Sequence, residues 1–275
     1  MPELPEVQTV VSGLNDILKD KIIKNTIIYD DTVIGYPDND KFIKLSEGKK
    51  IESLERRGKY IIINFAESEY RLIIHLRMSG KLLYKKSHEN RQKHTHVVFE
   101  FKDNTDLRFN NVRKFGRMYI VNQDSINEAG NLVNLGIEPL SDEFTVDLFK
   151  KMLKKRKAMI KPLLMNQEFI AGIGNIYADE ALFLSGIRPD RKSNDLTNKE
   201  IENLHAEIRK ILLKGIKMGG TSISDYVNAL GKTGDFQHEL NVYNHEGKEC
   251  VKCGNTIEKE KFSGRAARFC PNCQS

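Results

Sequence analysis

The hydrophobic pattern opens with an amphipathic helix. Apolar residues recur at helical spacing between residues 7 and 18, and Pro5 is well suited to a first helical turn. Short runs rich in β-branched and aromatic residues follow and predict strands. These runs cover residues 22–29, 59–65, 71–78, 96–101, 106–109 and 117–121. The first half of the chain is therefore predicted to be a β-sandwich that begins with an α-helix.

The period of the pattern changes after about Gly136. Helical spacing predicts helices around residues 146–165, 175–184, 198–218 and 222–230. From Gly231 onward, glycines and polar residues break the pattern and lead into a short tail that carries cysteines. The predicted fold class is therefore α+β, with an N-terminal β-sandwich over 1–135, a helical domain over 136–239 and a cysteine-bearing tail over 240–275.

Composition narrows the class of protein. The chain has 275 residues, 39% apolar and 30% charged, which is enough to bury a substantial core. It has no run of eighteen apolar residues, so we expect a soluble protein with no membrane span. The start, MPELPEVQTV, carries acids where a secretion signal would be basic and apolar. The expected location is the cytoplasm.

The distribution of positive charge says more than the total. Lysine and arginine outnumber acids 44 to 38, which gives a net charge of +6. One basic cluster without an acid consists of Lys150, Lys151, Lys154, Lys155, Arg156, Lys157 and Lys161. Such a cluster attracts a nucleic-acid backbone by releasing its counterions, and the alternative is a solvated helix face.

All four cysteines lie in the tail, as two C-x-x-C pairs separated by sixteen residues: Cys250, Cys253, Cys270 and Cys273. The spacing suits one tetrahedral zinc ion held by two tight turns of a hairpin. Two disulfides are the alternative, which a reducing cytoplasm disfavours. Four protein ligands leave no open coordination position, so the expected zinc is structural and the chemistry lies elsewhere.

The amino terminus offers a candidate nucleophile. Removal of Met1 would expose the secondary amine of Pro2. An α-amino group has a pKa of roughly 8, so an appreciable fraction is neutral near pH 7 and can attack a sugar C1′. Glu3 could then protonate the departing group. The alternative is that these residues only begin a helix, with carboxylates near its positive end.

Seven motifs appear in order along the whole chain: MPELPEV, RRGKY, HLRMSG, KHTHV, NVRKFG, GIGNIYADE and a CxxC tail that ends in CPNCQ. Together they resemble the formamidopyrimidine-DNA glycosylase family. The resemblance implies a bifunctional glycosylase and abasic-site lyase that removes oxidised purines from damaged double-stranded DNA. It also implies a helix-two-turn-helix domain after the β-sandwich and a zinc finger with a β-hairpin.

The resemblance assigns four catalytic residues. It makes Pro2 the Schiff-base nucleophile, Glu3 the proton donor in base release and Lys59 the proton donor in β-elimination. Arg265 matches the finger arginine that grips the phosphates beside the lesion and assists δ-elimination. Arg268 is a competing basic residue, but the spacing to Cys270 favours Arg265.

The remaining matches contact DNA. A glycosylase must extrude the damaged nucleotide and fill the gap that it leaves. Met78, Arg113 and Phe115 match the residues that wedge into the helix, with Arg113 against the orphaned cytosine. For Met78 and Phe115 the sequence alone favours ordinary core packing. The matches to a clamp on the phosphate backbone are His75, His94, Arg156, Lys161 and Asn175. Asn175 could instead be an N-cap.

Two further segments follow from the resemblance. The stretch 219–237 matches the part of the family that folds over an extruded purine, and its glycines and hydroxyls suit a mobile lid. Tyr243 is a further candidate for a phosphate contact.

Two other interpretations stay open. The endonuclease VIII branch shares the proline, glutamate, lysine and zinc plan, but it typically reads PEGPE where this chain reads PELPE, with Leu4. A noncatalytic zinc-ribbon DNA-binding protein would not need a free secondary amine. We expect a bacterial cytoplasmic protein that associates with the nucleoid by DNA binding, and a monomer.

Overall fold

The computed structural model describes residues 1–223 and 226–275, which form two compact units. Unit 1 comprises Met1–Asn134 and Met218–Asp235, and unit 2 comprises Leu135–Lys217 and Phe236–Ser275. The segment Met218–Asp235, which the sequence pattern places in the helical domain, therefore packs with the N-terminal half. The division into three domains over 1–135, 136–239 and 240–275 stays a prediction.

The described part of unit 1 contains two sheets and the α-helices α1 (Leu4–Leu18) and α2 (Asn39–Ser46). Its strands are β1 (Ile23–Ile28), β2 (Ile34–Tyr36), β3 (Ile51–Arg57), β4 (Tyr60–Phe65), β5 (Arg71–His75), β6 (Gly80–Lys86), β7 (Thr95–Phe101), β8 (Thr105–Asn111) and β9 (Arg117–Val121). One sheet has the order β1-β7-β8-β6 and the other β2-β9-β5-β4-β3. Buried side chains of α1 and of both sheets form one core, which confirms the predicted β-sandwich with its opening helix.

A capping box fixes the start of α1. Glu3 is the N-cap residue, and the Glu6 carboxylate accepts a hydrogen bond from the Glu3 backbone N–H at 2.8 Å. The other Glu6 oxygen accepts from the Thr221 N–H at 2.7 Å, and the Tyr226 hydroxyl donates to the Glu6 carbonyl. Glu6 is only 1% exposed, so one buried carboxylate ties the start of the chain to the segment Met218–Asp235.

The helix predicted over 222–230 is wrong for the described residues 222–223 and 226–230, none of which is helical. Gly219 and Gly220 have φ of +74° and +84°, a left-handed conformation that suits glycine and interrupts a helix. The Ser222 hydroxyl accepts from the Gly234 N–H and donates to the Tyr226 carbonyl. These side-chain bonds compete with helical backbone bonds, so the segment forms a loop.

Unit 2 carries α3 (Val146–Lys154), α4 (Ile160–Leu164), α5 (Asn175–Ser185) and α6 (Asn198–Lys217). The single helix predicted over 146–165 is divided between α3 and α4. Pro162 has no N–H to donate to the carbonyl of Ala158, which accepts from the Ser193 N–H at 2.8 Å instead. None of the described helices is long and apolar enough to cross a membrane.

The tail of unit 2 ends in an antiparallel hairpin of β10 (Glu258–Phe262) and β11 (Arg265–Phe269). A small core joins it to α5 through Phe183, Val242 and Ile257 together with two of the cysteines. The Glu180 carboxylate, also on α5, accepts hydrogen bonds from the backbone N–H groups of residues 241–243 at 2.8 to 3.0 Å. The chain that leads into the hairpin is therefore fixed to α5.

Candidate functional site

The register of the five-stranded sheet brings several predicted site residues of unit 1 to one end. Tyr60 at the start of β4 pairs with His75 at the end of β5, and His75 pairs with Arg117 at the start of β9. The turns on either side of these paired residues are β3–β4 with Lys59, β5–β6 with Met78, and β8–β9 with Arg113 and Phe115. These three turns form one surface at this end of unit 1.

Helix α1 brings its amino terminus to the same end. The Arg56 guanidinium donates to the Gln8 side chain at 2.9 Å, and the Leu54 N–H donates to the Asn15 side chain at 2.8 Å. Residue numbers rise along α1 while they fall along β3, so the two elements run antiparallel. The start of α1, with Pro2 and Glu3, therefore lies at the end of β3 that continues into the turn with Lys59.

These three residues are enclosed by protein. Pro2 is buried, Glu3 is 2% exposed and Lys59 is 5% exposed, whereas Met1 is 50% exposed. Removal of Met1 would turn the Pro2 nitrogen, which is an amide here, into an amine beside the enclosed Glu3 carboxyl. Little water would then weaken the electrostatic effect of either group on a bound substrate. The arrangement groups Pro2, Glu3 and Lys59 at one end of unit 1.

His75 is held as a neutral imidazole. It is 8% exposed, packs edge-on against the Tyr60 ring at a centroid distance of 4.5 Å, and its Nδ1 accepts from the Arg77 backbone N–H at 3.0 Å. Burial, aided by the positive charges of Arg77 and Lys59, lowers the pKa of His75 to about 3. The remaining ring nitrogen, Nε2, then carries the hydrogen, so His75 can act as a neutral donor and not as a cation.

Met78 and Phe115 are not core residues, since they are 45% and 54% exposed. A buried hydrogen-bond chain joins their two turns, because the Ser79 hydroxyl donates to the Asn111 side chain at 2.9 Å and accepts from the Arg113 N–H at 3.2 Å. The exposed side chains of Met78, Phe115 and Arg113 thus extend from two turns that hydrogen bonds hold together. Such a group can wedge between stacked bases.

His94 lies at the same end, directly before β7, and its carbonyl accepts from the Asn111 N–H at 2.9 Å. The β8–β9 turn is held a second time by an ion pair of 2.5 Å between Lys114 and Asp30. Hydrogen bonds from Lys114 and Thr32 lower the pKa of Asp30 to about 2, so Asp30 keeps its charge at neutral pH.

The predicted lid over 219–237 starts beside this end. Thr221 bonds to Glu6 in the first turn of α1, and the Ala229 carbonyl accepts from the Tyr84 N–H at 2.9 Å. Residues 224 and 225 of the predicted lid lie outside the described residues.

In unit 2 the predicted phosphate contacts differ in exposure. Arg156 is exposed directly after α3 and its guanidinium lies 5.5 Å from the Phe169 ring. Asn175 is the first residue of α5 and is half-buried, with Gly174 as the N-cap residue, so the alternative that Asn175 is the N-cap is wrong. Arg156 therefore presents an exposed guanidinium, and Asn175 lies at the amino-terminal end of α5, where helix N–H groups favour an anion.

Lys161 is the exception, because it is fully buried. Its ammonium lies 2.6 Å from the Asp179 carboxylate and also donates to the Ala266 carbonyl. Burial raises the pKa of Asp179 to about 7, while the Lys161 charge opposes that rise. The direct phosphate contact predicted for Lys161 is therefore corrected to an internal ion pair.

The hairpin separates its two arginines. Arg265 is exposed where β11 begins, after a turn at Ser263 and Gly264 with positive φ. Arg268 is 8% exposed, pairs with Glu246 at 3.1 Å and lies 4.4 Å from the Tyr243 ring. The guanidinium that can reach a phosphate is thus that of Arg265, whereas Arg268 and Tyr243 are engaged with each other.

The four cysteine sulfur atoms form a cluster of the size expected for tetrahedral coordination of one metal ion. All four Sγ atoms lie within 4.8 Å of one another, with Cys250 to Cys273 at 3.9 Å and Cys253 to Cys270 at 3.4 Å. Four thiolates about 2.3 Å from one zinc ion would lie roughly 3.8 Å apart. The cluster therefore fits one structural zinc ion and leaves no position for a substrate.

Three residues that hold the site are not predicted from the sequence: Glu6, Ser79 and Asp179. Each is a polar residue inside one of the seven motifs, and the sequence gives no other sign of its role. Each becomes visible only when its partner from a distant segment is in place.

The fold and the site define a class of protein. It is an α+β protein that combines enclosed Pro2 and Glu3 near the amino terminus, an exposed wedge formed by Met78, Arg113 and Phe115, and a hairpin with four clustered cysteines. Residues 1–118 match the formamidopyrimidine-DNA glycosylase N-terminal domain, residues 135–227 match the H2TH domain of the same proteins, and residues 247–275 match the zinc finger found in FPG and IleRS.

Relatives match over the whole chain. A formamidopyrimidine-DNA glycosylase of Pelotomaculum thermopropionicum is 43% identical, with 100% of this chain and 99% of the relative covered. Crystal structures of Lactococcus lactis FPG superpose at 38% identity with TM-scores of 0.93 and 0.92, covering 100% and 99% of both chains. The chain belongs to the formamidopyrimidine-DNA glycosylase family, whose members are DNA repair glycosylases with abasic-site lyase activity.

The purified protein is expected to contain one zinc ion per chain, measurable by elemental analysis. Cys270→Ser should lose the metal and the order of the hairpin, because zinc supplies on the order of 10 kcal/mol to the folding of such a small unit. Ser263→Gly, in the hairpin turn, is the matched control and should keep the metal. A folded, metal-free wild-type protein would contradict the assignment.

His75 is expected to titrate near pH 3 in the folded protein, measured by NMR and assigned with His75→Gln. Its folded pKa lies below the ordinary 6.5, so only the unfolded chain takes up this proton between about pH 6.5 and 3. This residue should therefore reduce stability by up to ~1.4 kcal/mol per pH unit as pH falls through that window. A His75 titration between pH 6 and 7 would show that the imidazole is not held neutral.

Proposed function

We propose that this chain excises oxidised purines from duplex DNA and then cleaves the strand at the resulting abasic site. The observation that carries the proposal is the convergence of Pro2, Glu3, Lys59 and the exposed wedge at one end of unit 1. Two supporting structures are those of Lactococcus lactis FPG, one an FPG mutant with DNA that contains Fapy-dG and one a complex with abasic-site DNA.

The chemistry begins with the Pro2 amine, once Met1 has been removed. The amine attacks C1′ of the damaged nucleotide, the bond from C1′ to the base breaks, and the base leaves with a proton from Glu3. The C1′–O4′ bond of the sugar ring then breaks, O4′ takes up a proton, and the nitrogen lone pair forms a double bond to C1′. The resulting iminium ion withdraws electrons and acidifies the C2′ proton. Loss of that proton expels the 3′ phosphate, and a second elimination expels the 5′ phosphate.

Lys59 and Arg265 assist the eliminations in this scheme. Lys59 is enclosed beside the start of α1, where its ammonium can donate a proton and stabilise phosphate charge. Arg265 is exposed on the hairpin, where its planar guanidinium can hold a phosphate with two hydrogen bonds. The zinc ion takes no part in the chemistry and holds the hairpin that carries Arg265.

DNA binding divides into base readout and backbone clamping. Met78 and Phe115 replace the stacking of the extruded nucleotide, and Arg113 pairs with the orphaned base. Arg156, Asn175 and His94 contact phosphate, and the neutral His75 donates a hydrogen bond instead of a full charge. The segment 219–237 covers the extruded purine.

We also propose the setting in which the protein acts. It works as a monomer in the bacterial cytoplasm, held at the nucleoid by its affinity for DNA. The divisions 1–135, 136–239 and 240–275 are then the sandwich, the helix-two-turn-helix domain and the zinc finger. Size-exclusion chromatography with light scattering tests the monomer.

Borohydride is expected to trap the protein covalently on 8-oxoguanine DNA through Pro2. Glu3→Gln should suppress excision of the lesion but keep cleavage of a preformed abasic site, because no glycosidic bond remains there. Pro2→Gly should impair both reactions, with some residual activity from its primary amine. Single-turnover time courses on the two duplexes make the comparison.

The control for these variants is Glu52→Gln, an exposed acid at the opposite end of β3. It should excise the lesion at the wild-type rate. Wild-type excision by Glu3→Gln, or a trapped adduct outside the amino terminus, would overturn these roles.

Arg113→Ala is expected to weaken the preference for cytosine opposite the lesion by about 1–3 kcal/mol, because it removes a contact to a base edge. Arg156→Ala should instead weaken binding to all duplexes and reduce the salt slope by about one. Arg71→Ala, exposed at the opposite end of β5, is the control and should do neither. Fluorescence anisotropy on duplexes with each of the four bases opposite the lesion, at several salt concentrations, distinguishes the outcomes. If Arg113→Ala loses the same binding affinity on all four duplexes, Arg113 is a backbone contact.

A further inference from the structure

The Lys161–Asp179 ion pair lies fully inside unit 2, with both side chains 0% exposed. Charges removed from water lose their hydration, and their mutual attraction alone often fails to compensate for that loss. A buried pair therefore needs further hydrogen bonds to be satisfied. Those bonds show what the pair does.

The additional bonds go to one strand. Lys161 donates to the Ala266 carbonyl, and the second Asp179 oxygen accepts from the Arg268 N–H at 3.2 Å. Backbone groups alternate in direction along a strand, so residues two apart present theirs at the same edge. The ammonium supplies a donor and the carboxylate an acceptor to that edge, as a neighbouring strand would do.

The strand so held carries Arg265. Ala266 follows it directly, and β10 pairs with the other edge of β11. The other partner of the ion pair is close to Asn175. Asp179 lies on α5 four residues, about one helical turn, after Asn175. The pair therefore fixes Arg265 of the hairpin relative to Asn175 of the helix.

We propose that Lys161 and Asp179 are positioning residues that lock the zinc hairpin onto α4 and α5, so that Arg265 and Asn175 grip neighbouring phosphates in a fixed geometry. The role of Arg265 rests on the proposed function, but the lock itself does not. An apolar pair of similar volume would pack in the same space and supply neither bond to β11.

The first test uses K161M/D179L in the zinc-loaded protein without DNA. We expect this variant to fold and keep its zinc, because no unpaired charge stays buried. Amide exchange in residues 265–269 should accelerate at least tenfold, measured by mass spectrometry. Leu204→Ala, a buried change on α6, is the control: it lowers overall stability without removing either bond to β11, and it should not accelerate exchange selectively there.

The second test measures products on a preformed abasic duplex. The double variant should shift the products from β,δ-elimination towards β-elimination alone and bind the duplex roughly tenfold more weakly. Leu204→Ala should keep the wild-type product ratio. A merely structural role would scale both eliminations together, so the ratio reports positioning.

K161M/D179N keeps the proposal testable if K161M/D179L fails to fold, because it too buries no unpaired charge. Its amide oxygen at position 179 can still accept from the Arg268 N–H, but the bond to the Ala266 carbonyl is gone, so exchange in β11 should rise above that of the wild-type protein. Wild-type exchange and product ratio in a folded variant would overturn the proposal. If the wild-type protein cleaves no damaged DNA, the proposed function fails, while the exchange measurement still decides whether the lock exists.

Discussion

The register of antiparallel strands is the constraint on which the site of unit 1 depends. Because Tyr60, His75 and Arg117 lie side by side, three turns distant in sequence open at one end of the sheet. A slip by one residue would turn every side chain of a strand to the opposite face and expose its apolar set. Burial of the sandwich core therefore also sets where Lys59, Met78 and Phe115 stand.

Buried carboxylates perform a similar task where no strand pairing exists. Glu6, Asp179 and Glu180 are each enclosed and each accept hydrogen bonds from backbone N–H groups of a segment far away in the chain. An enclosed carboxylate without donors is costly, so each of these contacts specifies one position for the segment it holds. The amino terminus, the hairpin and the chain leading into it are fixed in this way.

Exposure decides what otherwise similar cations can do. Arg265 and Arg268 are three residues apart, yet only Arg265 has an exposed guanidinium, because Arg268 is enclosed with Glu246. Arg156 and Lys161 belong to one basic cluster. The Arg156 side chain is exposed, whereas the Lys161 side chain is fully buried. Charge in the sequence thus predicts a basic region, whereas packing decides which of its side chains are exposed.

Periodicity, fixed spacing and motif order are properties of the chain before it folds, and they were enough to predict the sandwich, the main helices, the zinc cluster and the family. Local pattern failed where distant partners decide: residues 222–230 form no helix in their described part, since Ser222 bonds to Gly234. The resemblance likewise matched Lys161 to a phosphate contact, although Asp179 holds its side chain inside unit 2. These answers required the folded chain, because a polar side chain takes its role from the partner that burial brings to it.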